Sequence, residues 1–434
     1  MSLAIWISLA VFAVTYAFIV TEKIPPSTAA VLGGAAVVFF QLIPHEKALE
    51  HVDLDVLFLL IGMMTVVGIL SETGLFEWVA VMIARLARGR GMPLLIGLVC
   101  ATAVLSALLD NVTTVVLIVP ITILITQILE IPAIPFLILT AIFSNIGGTA
   151  TLIGDPPNIL IGGKSHLNFN DFLFHMTPAV ILIMTGSLIA VFLVFRRAMR
   201  VKPEARLRIL KAHPRRAITD AVKLKRGLPL FFLILIGFAV SHVFEIQPGL
   251  VALAGGMLMV IITRTPLRAA VEKVEWETIF FLIGLFMLVA ALEYNGLFDL
   301  LGGGLARMTS GSLLVGALAM LWVSGVLSAA LGAIPVTIAL IPLVSAFIAQ
   351  AGLPAEQAAQ ADVLWWALGL GACLGGNGTV LGTAANIVVV QIARKNRYHV
   401  SFTHFMVYGI PLTLLALLLS SAYLYLRYFL LALY

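Results

Sequence analysis

The sequence predicts an all-α polytopic membrane protein built from two inverted-topology repeats, with about ten transmembrane helices, two re-entrant hairpins and two broken helices. Three observations predict it. The composition is 61% hydrophobic and only 11% charged, with a mean hydropathy of +1.11, whereas soluble domains carry roughly 25% charged residues. Apolar runs at 3–20, 29–42, 56–70, 228–243 and 412–426 approach the ~20 residues that cross a bilayer as a helix. Third, the chain repeats itself.

The repeat appears when the chain is slid against itself. Pro26 to Gly34 aligns with Pro248 to Gly256 at an offset of 222 residues. At that offset Phe58-Leu59-Leu60-Ile61-Gly62 meets Phe280-Phe281-Leu282-Ile283-Gly284, and Gly74-Leu75-Phe76 meets Gly296-Leu297-Phe298. Ser106 meets Ser328, and Pro120 meets Pro342. The offset drifts to 228 at two glycine-rich motifs and to 233 at Pro178 and Pro411, as insertions between matched elements require. Each half reads as three helices, an amphipathic interfacial piece, two short helices around a polar tip, a broken helix and a last helix. In the first half these fall at about 3–22, 26–44, 54–71, 75–88, 93–129, 133–164 and 172–197. The first repeat is then 1–197, a basic cytoplasmic linker is 198–227, and the second repeat is 228–434 with its hairpin at 313–350 and its broken helix at 363–392.

Charge decides whether the paired short helices cross the membrane. If they are hairpins, each half crosses five times and 22 of the 26 Lys and Arg fall on one side. Basic residues mark the cytoplasmic face, so the hairpin topology places both termini outside a cell inner (plasma) membrane. Reading the hairpins as full spans separates the linker from Arg85, Arg88 and Arg90. The first apolar run has no basic segment before it and no small-residue cleavage site, and reads as a retained helix. The linker is partly amphipathic around Arg206, Leu207, Ile209 and Leu210, which suits a position at anionic headgroups. The net charge of +5 speaks to orientation in the bilayer and not to nucleic acid.

Several function classes drop out. Cys100 and Cys373 lie in apolar segments, and the eight His are scattered, so neither a disulfide framework nor a metal site is expected. Gly163-Lys164-Ser165 resembles the end of a phosphate-binding loop, but position 158 is Asn where that loop needs Gly. The longest polar segment is only about thirty residues, too short for a nucleotide-binding domain, so ATP drive would need a separate ATPase subunit. No enzyme activity and no cofactor are expected.

The chemistry concentrates in the interrupted segments. Gly147-Gly148-Thr149-Ala150-Thr151-Leu152-Ile153-Gly154-Asp155-Pro156-Pro157-Asn158 breaks any helix that carries it, and its partner is Gly375-Gly376-Asn377-Gly378-Thr379-Val380-Leu381-Gly382-Thr383-Ala384-Ala385-Asn386. Irregular backbone at membrane depth survives only inside protein or along a cavity, and a matched pair of interrupted segments points to a transporter's binding site. The first hairpin tip, Ser106 to Thr114, carries Asp110 and Asn111. Asp110 and Asp155 suit N-caps as well as ion binding. However, an ionised Asp at membrane depth costs roughly 2.5–3.5 kcal/mol even on lenient scales, and Ser would cap more cheaply. Both are therefore candidate ion-coupling residues. In the second half Asp110 and Asn111 become Gly332 and Ala333, and Asp155 becomes Thr383. One half holds the acids and the other only neutral hydrogen-bonding groups. The candidate substrate-binding residues are Asn111, Thr113, Gly148, Thr149, Asn158, Asn377, Thr379 and Asn386.

Other polar residues read as structural. Glu72, Glu77 and Glu293 sit at helix ends as solvated groups, and Asp53, Asp55, Glu275 and Glu277 favour helix dipoles. Met63 and Met64 suit packing. Trp365, Trp366, Tyr423, Tyr425 and Tyr428 suit interfacial belts. Cys373 is the one thiol near a motif, and a single buried Cys is most often inert packing.

The Asp-Asn-Val-Thr-Thr tip and the Gly-Gly-Thr-Ala-Thr-Leu-Ile-Gly-Asp-Pro-Pro-Asn run resemble the ion transporter superfamily of secondary carriers. The similarity is greatest to its arsenite/antimonite permease (ArsB-type) and P-protein-like branch, and it spans nearly the whole chain. The resemblance implies that substrate and coupling ion bind between hairpin tips and unwound helices while a transport domain moves against a scaffold. The loss of the acidic pair at Gly332-Ala333 departs from many relatives and puts a second cation site in doubt. Arsenite at neutral pH is mainly uncharged As(OH)3, which Asn and Thr can bind, and no basic residue lies in either motif or tip to hold an organic dianion. The expected activity is export of arsenite or antimonite in exchange for protons, with Asp110 or Asp155 carrying the proton. A sodium/proton antiporter is the alternative, followed by an organic-anion carrier. The expected partners are a small inorganic substrate, H+ or Na+ as coupling ion, and the lipid bilayer. A homodimer and a separate ATPase subunit are compatible with the same reading.

Overall fold

The computed structural model describes residues 3–21, 23–196, 199, 201–210, 214–308, 312–350 and 359–432. Arg200 and Lys211 of the basic linker lie outside the described residues, as do the side chains of Leu207, Ile209 and Leu210. The described residues form helices and contain no strand. The first half runs through α1 (Leu3–Thr21), α2 (Pro26–Phe39), α3 (His45–Glu50), α4 (Leu54–Ser71) and α5 (Leu75–Leu86). It continues with hairpin arms α6 (Gly91–Leu108) and α7 (Asn111–Leu129), broken helix α8 (Ala133–Gly148) and α9 (Pro156–Lys164), and α10 (Phe169–Phe195). A short α11 (Pro203–Leu210) lies in the linker. The second half repeats the order as α12 (Ala221–Ser241), α13 (Pro248–Thr263), α14 (Leu267–Val271), α15 (Trp276–Tyr294) and α16 (Leu297–Met308). Hairpin arms α17 (Leu313–Leu331) and α18 (Ala333–Gln350), broken helix α19 (Val363–Gly375) and α20 (Ala384–Lys395), and α21 (Phe402–Leu424) complete it.

Local sequence sets these boundaries. Pro26 and Pro248 stand at the first positions of α2 and α13, where a missing N–H costs nothing. Asn168 caps α10 in a reciprocal capping box with Asp171. Gly74 (φ +75°) and Gly296 (φ +80°) make the left-handed turns that launch the two amphipathic helices α5 and α16. These are equivalent positions in the two halves.

The halves meet through a reciprocal contact. A Cβ on Gly62 would fall 2.2 Å from the Ala252 carbonyl carbon, and one on Gly284 would fall 2.2 Å from that of Ala30. Gly62 corresponds to Gly284 and Ala30 to Ala252 at the 222-residue offset, so each half offers the same surface to the other. That is an internal two-fold, and α4 packs on α13 as α2 packs on α15. With no room for side chains, backbones approach closely, as apolar helices do in lipid.

Nine helices among the described residues are long and apolar enough to cross a membrane, so this is a multi-span membrane protein. Length alone, however, miscounts the crossings. The arms α6, α7, α17 and α18 qualify by length, while α1, α2, α8 and α13 fall in shorter apolar helices. Depth decides. The α6–α7 tip is hydrogen-bonded to the break between α8 and α9; α7 runs from that level to one face over about 28 Å, and α8 runs from the same face back to the break over about 24 Å. Because α9 carries on for another nine residues past the break, the tip stops inside and the hairpin returns. Each half then crosses five times, which inverts the second half relative to the first.

In the linker, α11 packs against α5 and α7, and residues 214–217 pack against α5. Lys202 also pairs with Glu130 at 3.1 Å. Trp365 and Trp366 are buried, not belt residues, with Trp366 edge-on to Phe172, because α19 is enclosed by other helices. Glu72 is not a free solvated end. It pairs with Lys273 at 2.8 Å and Lys223 at 2.9 Å, which hold its carboxyl below the usual range, Lys273 most.

Gly62→Val and Gly284→Val should each destabilise the fold by about 1–3 kcal/mol or more through overpacking. Detergent size-exclusion after heating would show loss of the monodisperse peak at lower temperature, and Gly304→Val, where no atom lies within 4 Å of an added Cβ, should match the wild type.

Candidate functional site

Both helix breaks are closed by an asparagine one turn into the second helix. Asn158 Nδ2 donates to the carbonyls of Thr149 (3.0 Å) and Thr151 (2.9 Å). Asn386 Nδ2 donates to those of Gly376 (3.0 Å) and Thr379 (2.8 Å). Gly148 and Gly154 let the two edges of the first break touch: a Cβ on either would lie 2.5 Å from the other's carbonyl oxygen. Each tip is also tied to its break, Thr151 Oγ1 donating to Ala107 O (2.5 Å) and Thr379 Oγ1 to Ala329 O (2.6 Å).

A polar chain links the first tip to both breaks. Asn111 Nδ2 donates to Asp155 Oδ1 and to Asn145 Oδ1, each at 3.0 Å. Asn145 Nδ2 then faces three acceptors of the other half: Asn377 Oδ1 (2.8 Å), Thr383 Oγ1 (3.0 Å) and Asn386 Oδ1 (3.0 Å). An amide has two hydrogens, so three acceptors share them. All of these side chains are buried.

The two acids have different employment. Asp110 Oδ1 accepts the Thr113 N–H at 2.7 Å and caps α7. Asp155 precedes α9 but its side chain makes no cap bond. Its Oδ2 is buried with no N–H or O–H donor on it, in a residue only 2% exposed, and the Cys373 thiol lies against the same carboxylate. The equivalent Thr383 does cap, accepting the Asn386 N–H at 3.2 Å. Cys373 Sγ lies 3.6 Å from Asn158 Oδ1, and no solvent reaches it.

A cavity of about 580 Å³ opens onto this cluster. Its wall grades from exposed Lys23, Glu277 and Gln391 to buried Asn111, Asp155 and Thr383. Asp110, Glu275 and Thr278 lie between these ends, and the second tip adds Gly332 and Ala333. Helices α15 and α20 line it together. The corresponding pair in the first half, α4 and α9, is packed shut, and Lys164 on α9 pairs with Asp53 before α4 at 3.6 Å. The site is open to one side.

The sequence pattern of the citrate transporter family (CitMHS) matches residues 16–371. The chain belongs to this family. A 46 kDa membrane protein of Mycobacterium leprae is 38% identical over 97% of this chain and 98% of its own length. The human P protein is 30% identical over 96% of this chain, which spans only 59% of that protein. Among solved structures, the YdaH transporter of Alcanivorax borkumensis superposes with a TM-score of 0.59 at 16% identity, covering 91% of this chain and 88% of that one. That likeness supports the fold alone.

Within this CitMHS chain, the residues singled out from sequence divide by position. Asp110, Asn111 and Asp155 lie on the cavity wall. Thr149, Asn158, Asn377 and Asn386 form the buried layer behind it, where Thr149 Oγ1 donates to Asn145 O (2.7 Å). Gly148 shapes the break, Thr379 ties the second tip, and Thr113 supplies the N–H that Asp110 caps. Sequence reasoning missed Asn145, which joins the halves. It also placed Glu275 among helix-dipole acids, whereas its side chain makes no cap bond and lines the cavity. Asn145 aligns with Cys373 at the 228-residue offset of the motifs, and that exchange was the available signal.

If capping is the whole of Asp110's structural work, Asp110→Ala should lower stability by about 1 kcal/mol and Asp110→Ser should restore most of it. Thermal unfolding in detergent tests this, and a Ser variant no more stable than Ala would contradict it.

Proposed function

We propose that this member of the citrate transporter family is a secondary active exporter of a small uncharged hydroxyl-rich solute, arsenite or antimonite, in exchange for protons, with Asp155 carrying the proton. The observation that carries the reading is the buried Asp155 Oδ2, which no N–H or O–H donor reaches. A carboxylate oxygen left without a donor at membrane depth is stabilised by taking a proton, and protonation turns an acceptor into a donor. The Asn111 bond to Asp155 then transmits the change to Asn145 and the second half. Asp110 is the weaker candidate because one of its oxygens is committed to the α7 cap. As(OH)3 offers donors and acceptors to Asn111, Thr383 and the acids. The one-sided cavity suits alternating access, and the charge asymmetry supports an inner membrane with both termini outside.

The family's name favours citrate as a second reading. The cavity wall carries four carboxylates and one lysine, which repels a free trianion, so the first reading is preferred.

Everted vesicles distinguish the readings. A proton gradient should drive arsenite accumulation without sodium, and citrate should neither accumulate nor compete. Sodium-evoked proton release without arsenite flux would establish the antiporter instead. Asp155→Asn should reduce proton-driven accumulation to the level of vesicles lacking the protein, and a variant with wild-type uptake and pH profile would remove Asp155 from the mechanism.

A further inference from the structure

We propose that Glu275 is the acid through which the coupling cation reaches Asp155, a second carboxylate stop on the cavity wall. The proposal rests on the reading of Asp155 as ion carrier. Glu275 immediately precedes α15 and corresponds to Asp53, which precedes α4, at the 222-residue offset. The two positions do opposite things. Asp53 is fully employed: Oδ1 accepts the Val56 N–H at 3.2 Å and Oδ2 faces Lys164 at 3.6 Å. Glu275 makes no cap bond, and its carboxylate accepts the Thr278 hydroxyl at 3.2 Å. Among the described residues no cationic side chain pairs with it.

What faces Glu275 is acidic. Asp110, across the cavity from α7, and Glu277, on its own helix, are close enough for their charges to act on it. Asp110 in turn acts on Asp155. Among the described residues the one cation on the wall is Lys23, at the exposed end. A half-buried carboxylate among like charges is unfavourable unless a cation joins it. Glu275 and Asp155 also lie at different depths on one wall, the first part-exposed and the second 2% exposed with an oxygen that no N–H or O–H donor reaches. A cleft of one sign concentrates counter-ions, and a part-exposed acid above a buried one gives them a path inward. The shared chemistry is that of a small hard cation, H+ or Na+.

The test uses the full-length protein in liposomes on a solid-supported membrane, with no solute added, so that it does not depend on arsenite. The probe is a pH jump, with a sodium jump at constant pH as the second arm. Wild type should give a transient charge movement. Glu275→Gln should keep its total charge but need about ten-fold more of the cation for half-maximal movement, the low end of the enrichment a charged cleft supplies. Glu275→Asp should return the midpoint toward wild type, which loss of packing would not predict. The jump that moves charge identifies the cation. A Glu275→Gln midpoint equal to wild type overturns the proposal, as does a shifted midpoint that Glu275→Asp fails to restore. Failure of the underlying reading looks different: Asp155→Asn would then keep the wild-type charge movement.

Discussion

A helix that stops inside a bilayer exposes carbonyls that water cannot reach, and each must find a donor or the segment will not insert. In this protein Asn158 and Asn386 supply those donors, each spending both amide hydrogens on the carbonyls of its own break. Everything at the site follows from that commitment. Once the breaks are closed internally, the hairpin tips can dock on them, and the side chains left over at the same depth are free for other work. Replacing either asparagine strands two carbonyls in an apolar medium, at a cost of about 1–3 kcal/mol for each group.

The two halves share this architecture and differ in what they leave over. The second half completes its break with Thr383, a neutral cap, beside Gly332 and Ala333. The first half completes its break with Asp155, which does not cap, and adds Asn111 to hold one of its oxygens. Asn145 and Cys373 occupy equivalent positions and reach across to the opposite half, Asn145 to Asn386 and Cys373 to Asn158. The polar member is tied to Asp155 through Asn111, and the thiol member lies against the Asp155 carboxylate itself. The same asymmetry appears at the mouth, where Asp53 is neutralised by Lys164 and Glu275 faces the cavity. Two-fold pseudosymmetry builds the frame, and its violations fall at the charged positions.

Much of this was legible in the chain. Pro26 and Pro248, the Gly74 and Gly296 turns and the paired glycine motifs fixed element order and boundaries, because each acts through local backbone preference. The hairpin interpretation came from the distribution of Lys and Arg. The functional roles of individual asparagines were less legible. Asn111, Asn145, Asn158, Asn377 and Asn386 carry identical groups, and only three-dimensional pairing shows which close a break and which join the halves. Glu275 was hidden for a similar reason, since an acid before a helix reads as dipole complement until its side chain is seen to point elsewhere. Trp365 and Trp366 looked interfacial because their burial depends on α9 and α10 rather than on neighbours in sequence.

The central claim is that Asp155 gains and loses a proton within an otherwise neutral asparagine network. Infrared difference spectroscopy of the reconstituted protein tests it most directly, comparing acid and alkaline states of wild type and Asp155→Asn. The account predicts a protonated-carboxyl band that titrates in wild type, moves when arsenite is added, and is missing from the variant. A titrating band of equal intensity in both proteins, or none in wild type, would contradict it.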